Sequence, residues 1–80
     1  MITKALARTL PHGAILHHVS ATNADGTPLR ARKNGNVKTW TTRPDEFHLP
    51  MKHGLKNCFY IDQDNANEWV LPEEPEEPED

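Results

Sequence analysis

Residues 29–42 read LRARKNGNVKTWTT, and this stretch carries the clearest signal for the fold. Two strand-like runs flank Asn34-Gly35, a dipeptide that tolerates the positive φ angles of a tight turn, so the stretch predicts a β-hairpin. Two registers are open. A two-residue loop would pair Arg32 with Val37, whereas a three-residue loop with a glycine bulge would pair Ala31 with Val37. We favour the second register because it separates an apolar face from a basic one.

The chain before the hairpin predicts a short helix, a strand and a turn. Thr3 is a suitable N-cap for a helix over residues 3–9. Residues 14–20 alternate in the manner of a strand, and residues 23–28 form a dense turn signal. The hairpin is therefore expected to follow one strand.

The chain after the hairpin is harder to assign because it contains two prolines. Pro44 and Pro50 lack a backbone donor, which argues against a central strand and predicts an irregular stretch over residues 44–55. A further strand is expected over residues 56–61. One capped helical turn over residues 62–69 and a last short strand, Val70-Leu71, would complete the domain.

This order of elements predicts a mostly β fold. Short strands, a tight hairpin and one helical turn before the last strand resemble a small barrel of the Src-homology type, over residues 14–72. The resemblance implies a five-stranded, partly open barrel preceded by the short N-terminal helix. Closure of the sheet would protect the edges of the short strands.

Charge divides the chain into a body, residues 1–72, and a tail, residues 73–80. The chain has nine Lys and Arg and twelve Asp and Glu, and six of these acids lie in the tail, so the body has a net charge of +3. The tail reads EEPEEPED and is expected to be disordered. Its role is open: it either keeps the protein in solution or folds back over the basic residues as an internal competitor.

Composition argues against catalysis and against export. The four glycines stand singly, so no phosphate-binding loop is expected, and a chain this short leaves little room for an active-site pocket. Cys58 is the only cysteine, and its place in an apolar strand predicts a buried, unreactive thiol. We therefore expect a non-enzymatic, cytoplasmic protein without a cofactor and without a membrane partner.

Histidines raise the question of a metal site. His48, His53 and Cys58 recur at intervals of five residues and have the side chains that zinc prefers. The close pair of ligands typical of structural zinc sites is missing. We predict no metal, although the sequence leaves open whether these three residues bind one.

One binding hypothesis rests on the basic residues of the hairpin 29–43. Residues 26–44 contain five bases and no acid, which predicts a surface that follows phosphate groups, and a tryptophan among them offers a ring for stacking. The predicted binding residues are Arg30, Arg32, Lys33, Lys38, Trp40 and Arg43. The expected ligand would be DNA or RNA.

The other binding hypothesis rests on a resemblance. ADGTPLRARKNGNVKTWTTRPDEFHLPMKHGL, residues 24–55, followed by CFYI, residues 58–61, is similar to small uncharacterised proteins of bacteriophages and prophages. The resemblance implies a protein that docks on a host protein or nucleoprotein complex in the host cytoplasm and modulates it, for instance by inhibiting a defence system. The expected contacts are Trp40, Arg43, Met51 and Trp69, which are residue types enriched at interface centres.

Overall fold

The computed structural model describes residues 1–78, in which one α-helix, one short 3-10 helix and six β-strands are found. In chain order these are α1 (Lys4–Thr9), β1 (Ile15–Thr22), β2 (Pro28–Lys33), β3 (Lys38–Trp40), β4 (Arg43–His53), β5 (Asn57–Asp62), the 3-10 helix (Ala66–Glu68) and β6 (Trp69–Val70). The mostly β class, the short N-terminal helix and the helical turn before the last strand are confirmed. None of the helices within these residues has the length and apolar character needed to cross a membrane.

The strands form a single antiparallel sheet around a central strand, β4. One edge of β4 pairs with β5, and the other edge pairs first with β3 and then with β2. Beyond β2 the sheet continues through β1 to β6. Within residues 1–78 the sheet has one strand more than predicted and is open, so the predicted barrel is not confirmed.

The predicted hairpin around Asn34-Gly35 is wrong in both registers, because β2 and β3 do not pair with each other. Both strands pair instead with the same edge of β4. Gly35 has the positive φ of a turn, 116°, as the dipeptide predicts. The N–H of Asn34 donates to the carbonyl of Pro50 over 2.8 Å, which holds the connection against β4. Asn34 does not have a positive φ, so the tight turn of a hairpin is replaced by a link between two strands that pair with the same edge of β4.

Strand β4 also contradicts the irregular stretch predicted for residues 44–55. Pro44 is its second residue, and Pro50 lies opposite Tyr60 of β5. Because a residue in a strand directs its N–H and its carbonyl to the same edge, the Asn34 contact shows which edge residue 50 faces. On that edge, pairing with β3 reaches His48 and pairing with β2 begins at Met51. The missing donor of Pro50 thus falls at the junction between two strands.

The inner face of the sheet carries the core, and α1 covers part of it. The buried cluster consists of Ile2, Ala7, Leu16, Ala31, Phe47, Leu49, Met51, Ile61, Ala66 and Trp69. Thr3 Oγ1 accepts the N–H of Leu6 at 3.1 Å, which confirms the predicted helix cap. The N–H of Ile2 donates to the carbonyl of Ala66 at 3.0 Å, so the chain start is tied to the core.

Candidate functional site

The outer face of the sheet, opposite the core, carries two of the predicted binding residues side by side. Burial alternates along β2, so Arg30 and Arg32 point outward. Arg32 lies opposite Lys52 of β4, and neither β2 nor residues 48–53 of β4 contain an acidic residue. We call Arg30, Arg32 and Lys52 the basic centre. Its three cations lie on two adjacent strands, whose separation in a sheet is about 4.8 Å.

A shallow cavity of about 240 Å³ lies at the basic centre. Arg30, Arg32 and Lys52 are among its lining residues. Guanidinium groups present several N–H donors in a planar fork that matches the oxygens of a phosphate or a carboxylate. The cavity can therefore take an anionic group.

Three rings follow one another across β3, β4 and β5 on the same outer face. The ring centroids of Trp40 and His48 are 4.9 Å apart, and those of His48 and Tyr60 are 5.5 Å apart. Lys38 Nζ lies 5.4 Å from the centroid of the Tyr60 ring and 3.4 Å from its hydroxyl. We call Trp40, His48 and Tyr60 the aromatic row. Because Tyr60 is 45% exposed, a planar ligand can reach its ring.

An open groove borders the aromatic row at Tyr60. Its volume is about 560 Å³, and residues 34–38, Pro50 and Phe59 also line it. Lys38, one of these residues, is exposed. The groove therefore combines an accessible ring, an accessible cation and room for a small planar group.

Lys33 does not belong to this surface, although it is one of the predicted binding residues. Its side chain turns inward with the residue 5% exposed, and Nζ donates to the carbonyls of Ala7 at 3.0 Å and Leu10 at 2.5 Å. Burial lowers the pKa of this ammonium group. The carbonyls at a helix end carry partial negative charge, which a cation stabilises. Lys33 thus holds the end of α1, and we leave it out of the binding surface.

Arg43 stands beside the aromatic row. It lies opposite Trp40 across an irregularity in the pairing of β3 with β4, and its side chain is 63% exposed. Arg43 Nη1 lies 3.3 Å from a carboxylate oxygen of Glu46. Exposed ion pairs of this kind contribute little to stability, so the guanidinium can exchange partners.

The acidic tail contacts the outer face through Glu76. His17 Nε2 donates to Glu76 Oε2 at 2.6 Å, and Arg30 Nε donates to the same oxygen at 3.2 Å. Arg30 Nη2 lies 2.7 Å from Glu76 Oε1. The hydrogen bond from His17, together with the charge of Arg30, lowers the pKa of Glu76. The tail thus places a carboxylate at the edge of the basic centre. The last two tail residues, Glu79 and Asp80, lie outside the described residues.

Cys58 is exposed, so the prediction of a buried thiol is wrong. β5 alternates, with Ile61 fully buried and Cys58 and Tyr60 on the outer face. An apolar composition alone did not distinguish the two faces of this strand. The thiol therefore lies on the same face as the aromatic row.

His48 and His53, two of the three candidate zinc ligands, make contacts with other parts of the protein. His48 packs within the aromatic row, and His53 Nδ1 donates to the carbonyl of Arg30 at 2.8 Å. In the described part of the chain no three His, Cys, Asp or Glu side chains are grouped as metal ligands. The structure therefore does not bring His48, His53 and Cys58 together as a ligand set.

Two of the four expected protein-docking residues are in the core, so that prediction is wrong for them. Met51 is fully buried and Trp69 is 6% exposed. Trp69 stacks on Phe59 with ring centroids 5.4 Å apart. Trp40 and Arg43 remain near the surface, but they no longer belong to a set of four exposed anchors.

Sequence reasoning missed three residues of this surface: Lys52, His48 and Tyr60. The alternation of β5 contained the signal for Tyr60, which shares a face with Cys58. Lys52 and His48 lay in the stretch that the two prolines marked as irregular. A prediction that kept this stretch as a strand would have placed both of them on one face.

Comparison of the chain with protein-family models, with curated protein sequences and with solved structures gave no match.

Proposed function

We propose that the protein binds single-stranded nucleic acid on the outer face of its sheet. The observation that supports this proposal is the presence of the aromatic row and the basic centre on one face of the sheet, with Lys38 beside Tyr60. Proteins that bind single strands combine cations that follow the phosphates with rings on which bases stack. In this assignment Arg32, Lys52 and Lys38 contact phosphates, and Tyr60 and Trp40 stack on bases.

A single strand fits this surface better than a duplex. Bases within a double helix are stacked on each other, so their faces are not available to side chains. The only α-helix among residues 1–78 lies over the inner face, where it cannot place side chains in a groove of DNA bound to the outer face. The exposed ring of Tyr60 has a role only if the bases are unpaired.

Docking on a host protein is the second proposed function. Trp40 and Arg43 support it, since the exposed Arg43 lies opposite the half-buried Trp40 at one end of the aromatic row. The burial of Met51 and Trp69 removes half of the expected contacts, and for this reason we rank it second. A bacteriophage origin, the likeness to Src-homology barrels and a cytoplasmic location stay proposals that rest on the sequence.

Binding of a labelled single strand tests the first function. The probe is a fluorescent oligothymidine of about 12 nucleotides, and its anisotropy is measured over a salt series. We expect saturable binding that weakens with salt. Arg32→Gln should lower the slope of log affinity against log salt by about 0.7, the value for one phosphate contact in a single strand. Tyr60→Leu should weaken binding about fivefold or more without changing the slope, because it removes a stacking ring and no charge.

Arg8→Gln is the matched control for charge. Arg8 is exposed on α1, which covers the opposite side of the sheet, so this variant should keep the salt slope of the parent. Two results would contradict the proposal. One is the absence of binding at low salt, both for the parent and for a full-length variant whose tail acids are changed to amides. The other is equal loss of slope in Arg8→Gln and Arg32→Gln. Recovery of a protein partner whose capture is resistant to nuclease and lost in Arg43→Gln would favour the second function.

A further inference from the structure

The edge of the basic centre holds an anionic group, the carboxylate of Glu76. His17 on β1 and Arg30 on β2 lie opposite each other in the sheet, so their side chains emerge as neighbours. Together they direct three N–H donors at one carboxylate, at 2.6, 2.7 and 3.2 Å. Both oxygens of Glu76 are engaged. We call His17 and Arg30 the anion pair.

Two prolines of the tail line a cavity together with apolar residues of the body near this carboxylate. Ile15 lies opposite Arg32 on the outer face, yet it is only 5% exposed. Ile15 lines a cavity of about 300 Å³ whose other walls include Leu10, Pro75 and Pro78. The prolines that flank Glu76 therefore lie near an apolar part of the body, which favours one position of the tail.

The anion pair is continuous with the surface assigned to nucleic acid. Arg30 lines the cavity at the basic centre. It also lines a second groove, separate from the one beside Tyr60, whose walls include His17 and Glu76. A strand of nucleic acid that follows Arg32 and Lys52 would therefore reach Arg30 next. A phosphate offers the same anionic oxygens as the carboxylate that occupies the pair.

We propose that His17 and Arg30 form a binding site for a backbone phosphate of the nucleic acid, and that Glu76 occupies this site as an internal competitor when no ligand is bound. The inference rests on the proposed function. Only molecules in which Glu76 has left the site can bind the phosphate there. The apparent affinity for the nucleic acid is therefore the intrinsic affinity multiplied by the fraction of open molecules. An ion pair of about 1 kcal/mol, the upper end of the range measured at protein surfaces, closes the site in roughly five of six molecules. Only about one sixth of the molecules are then open, so removal of the ion pair should tighten binding about sixfold.

The test compares two full-length variants that lose the same charge. Glu76→Gln removes the carboxylate held by the anion pair, whereas Glu77→Gln removes the exposed neighbouring acid. With the oligothymidine probe at low salt, Glu76→Gln should tighten binding about sixfold. Glu77→Gln should change the affinity less than twofold, because only screened long-range repulsion is lost. Adding Arg30→Gln to Glu76→Gln should abolish the gain.

The outcomes separate this inference from the function on which it rests. Equal tightening by Glu76→Gln and Glu77→Gln, with binding intact, would overturn the competitor and leave the nucleic-acid function standing. A gain from Glu76→Gln that persists in the Arg30→Gln background would also overturn it, because the phosphate would then not use the anion pair. If neither the parent nor the variant with a neutral tail binds, the function fails and the inference fails with it.

Discussion

Replacing Lys33 with Met tests whether this buried lysine stabilises the end of α1 and does not take part in binding. The carbonyl of Ala7 would ordinarily accept the N–H of the residue four positions later, which is Pro11 and has none. Lys33 Nζ supplies this donor at 3.0 Å and a second hydrogen bond to Leu10 at 2.5 Å. Met keeps much of the packing volume and removes both bonds.

The expected loss follows from these two bonds. Hydrogen bonds from a charged donor contribute about 1.5–3 kcal/mol each, and an unsatisfied buried carbonyl costs about 1–3 kcal/mol. The carbonyl of Leu10 is only partly buried and can turn to water, and Met avoids the cost of burying an ammonium group. We therefore expect a net loss of about 2 kcal/mol in the free energy of unfolding. For a domain of this size that corresponds to a fall of about 8–16 °C in Tm.

Urea denaturation followed by tryptophan fluorescence measures the loss, and Lys56→Met is the control. Lys56 is exposed in the turn between β4 and β5, so its replacement should change stability by less than about 0.5 kcal/mol. The salt slope of oligonucleotide binding should be the same in Lys33→Met and in the parent. The reasoning is refuted if Lys33→Met is as stable as Lys56→Met, or if it loses the slope of one phosphate contact.

Two further predictions concern residues whose burial the structure decides. Ile2→Ala should lower the free energy of unfolding by about 2–5 kcal/mol because Ile2 is 1% exposed, whereas Leu55→Ala, at a residue 86% exposed, should have almost no effect. Similar losses in the two variants would contradict the placement of Ile2 in the core. Cys58 should react with a thiol reagent in the native protein at nearly the rate seen after unfolding, and Cys58→Ser should change stability by less than about 0.5 kcal/mol; protection of the native thiol would contradict its exposure.

Local signals predicted the elements whose geometry depends on neighbouring residues. Thr3 predicted the start of α1 because a side-chain cap bonds to an N–H three residues away. The signals around residues 62–69 predicted the helical turn, where Asp62 Oδ1 accepts the N–H groups of Asp64 and Asn65. These interactions are complete within a few residues, so a sequence read locally contains them.

The pairing of strands was decided by tertiary structure. Gly35 has the positive φ that the dipeptide predicts, but the backbone conformation of one residue does not choose the partners of the strands on either side of it. Strand β4, which is eleven residues long, provides one edge with room for both β2 and β3. Pro50 is tolerated in its middle because the missing donor falls between those two partners. No local rule for proline contains the position of another strand.

The candidate site was also predicted only in part from the sequence. Sequence alone identified a cluster of bases with a tryptophan, and it identified the tail as a possible competitor of that cluster. Tertiary structure then turned Lys33 inward to α1, brought Lys52 next to Arg32, aligned Trp40 with His48 and Tyr60, and joined Glu76 to His17 and Arg30. Charge and residue type are properties of the chain, whereas the face on which a side chain emerges depends on register. Register is set by contacts between residues distant in the sequence, and the surface assembled from these strands therefore became visible only in the folded protein.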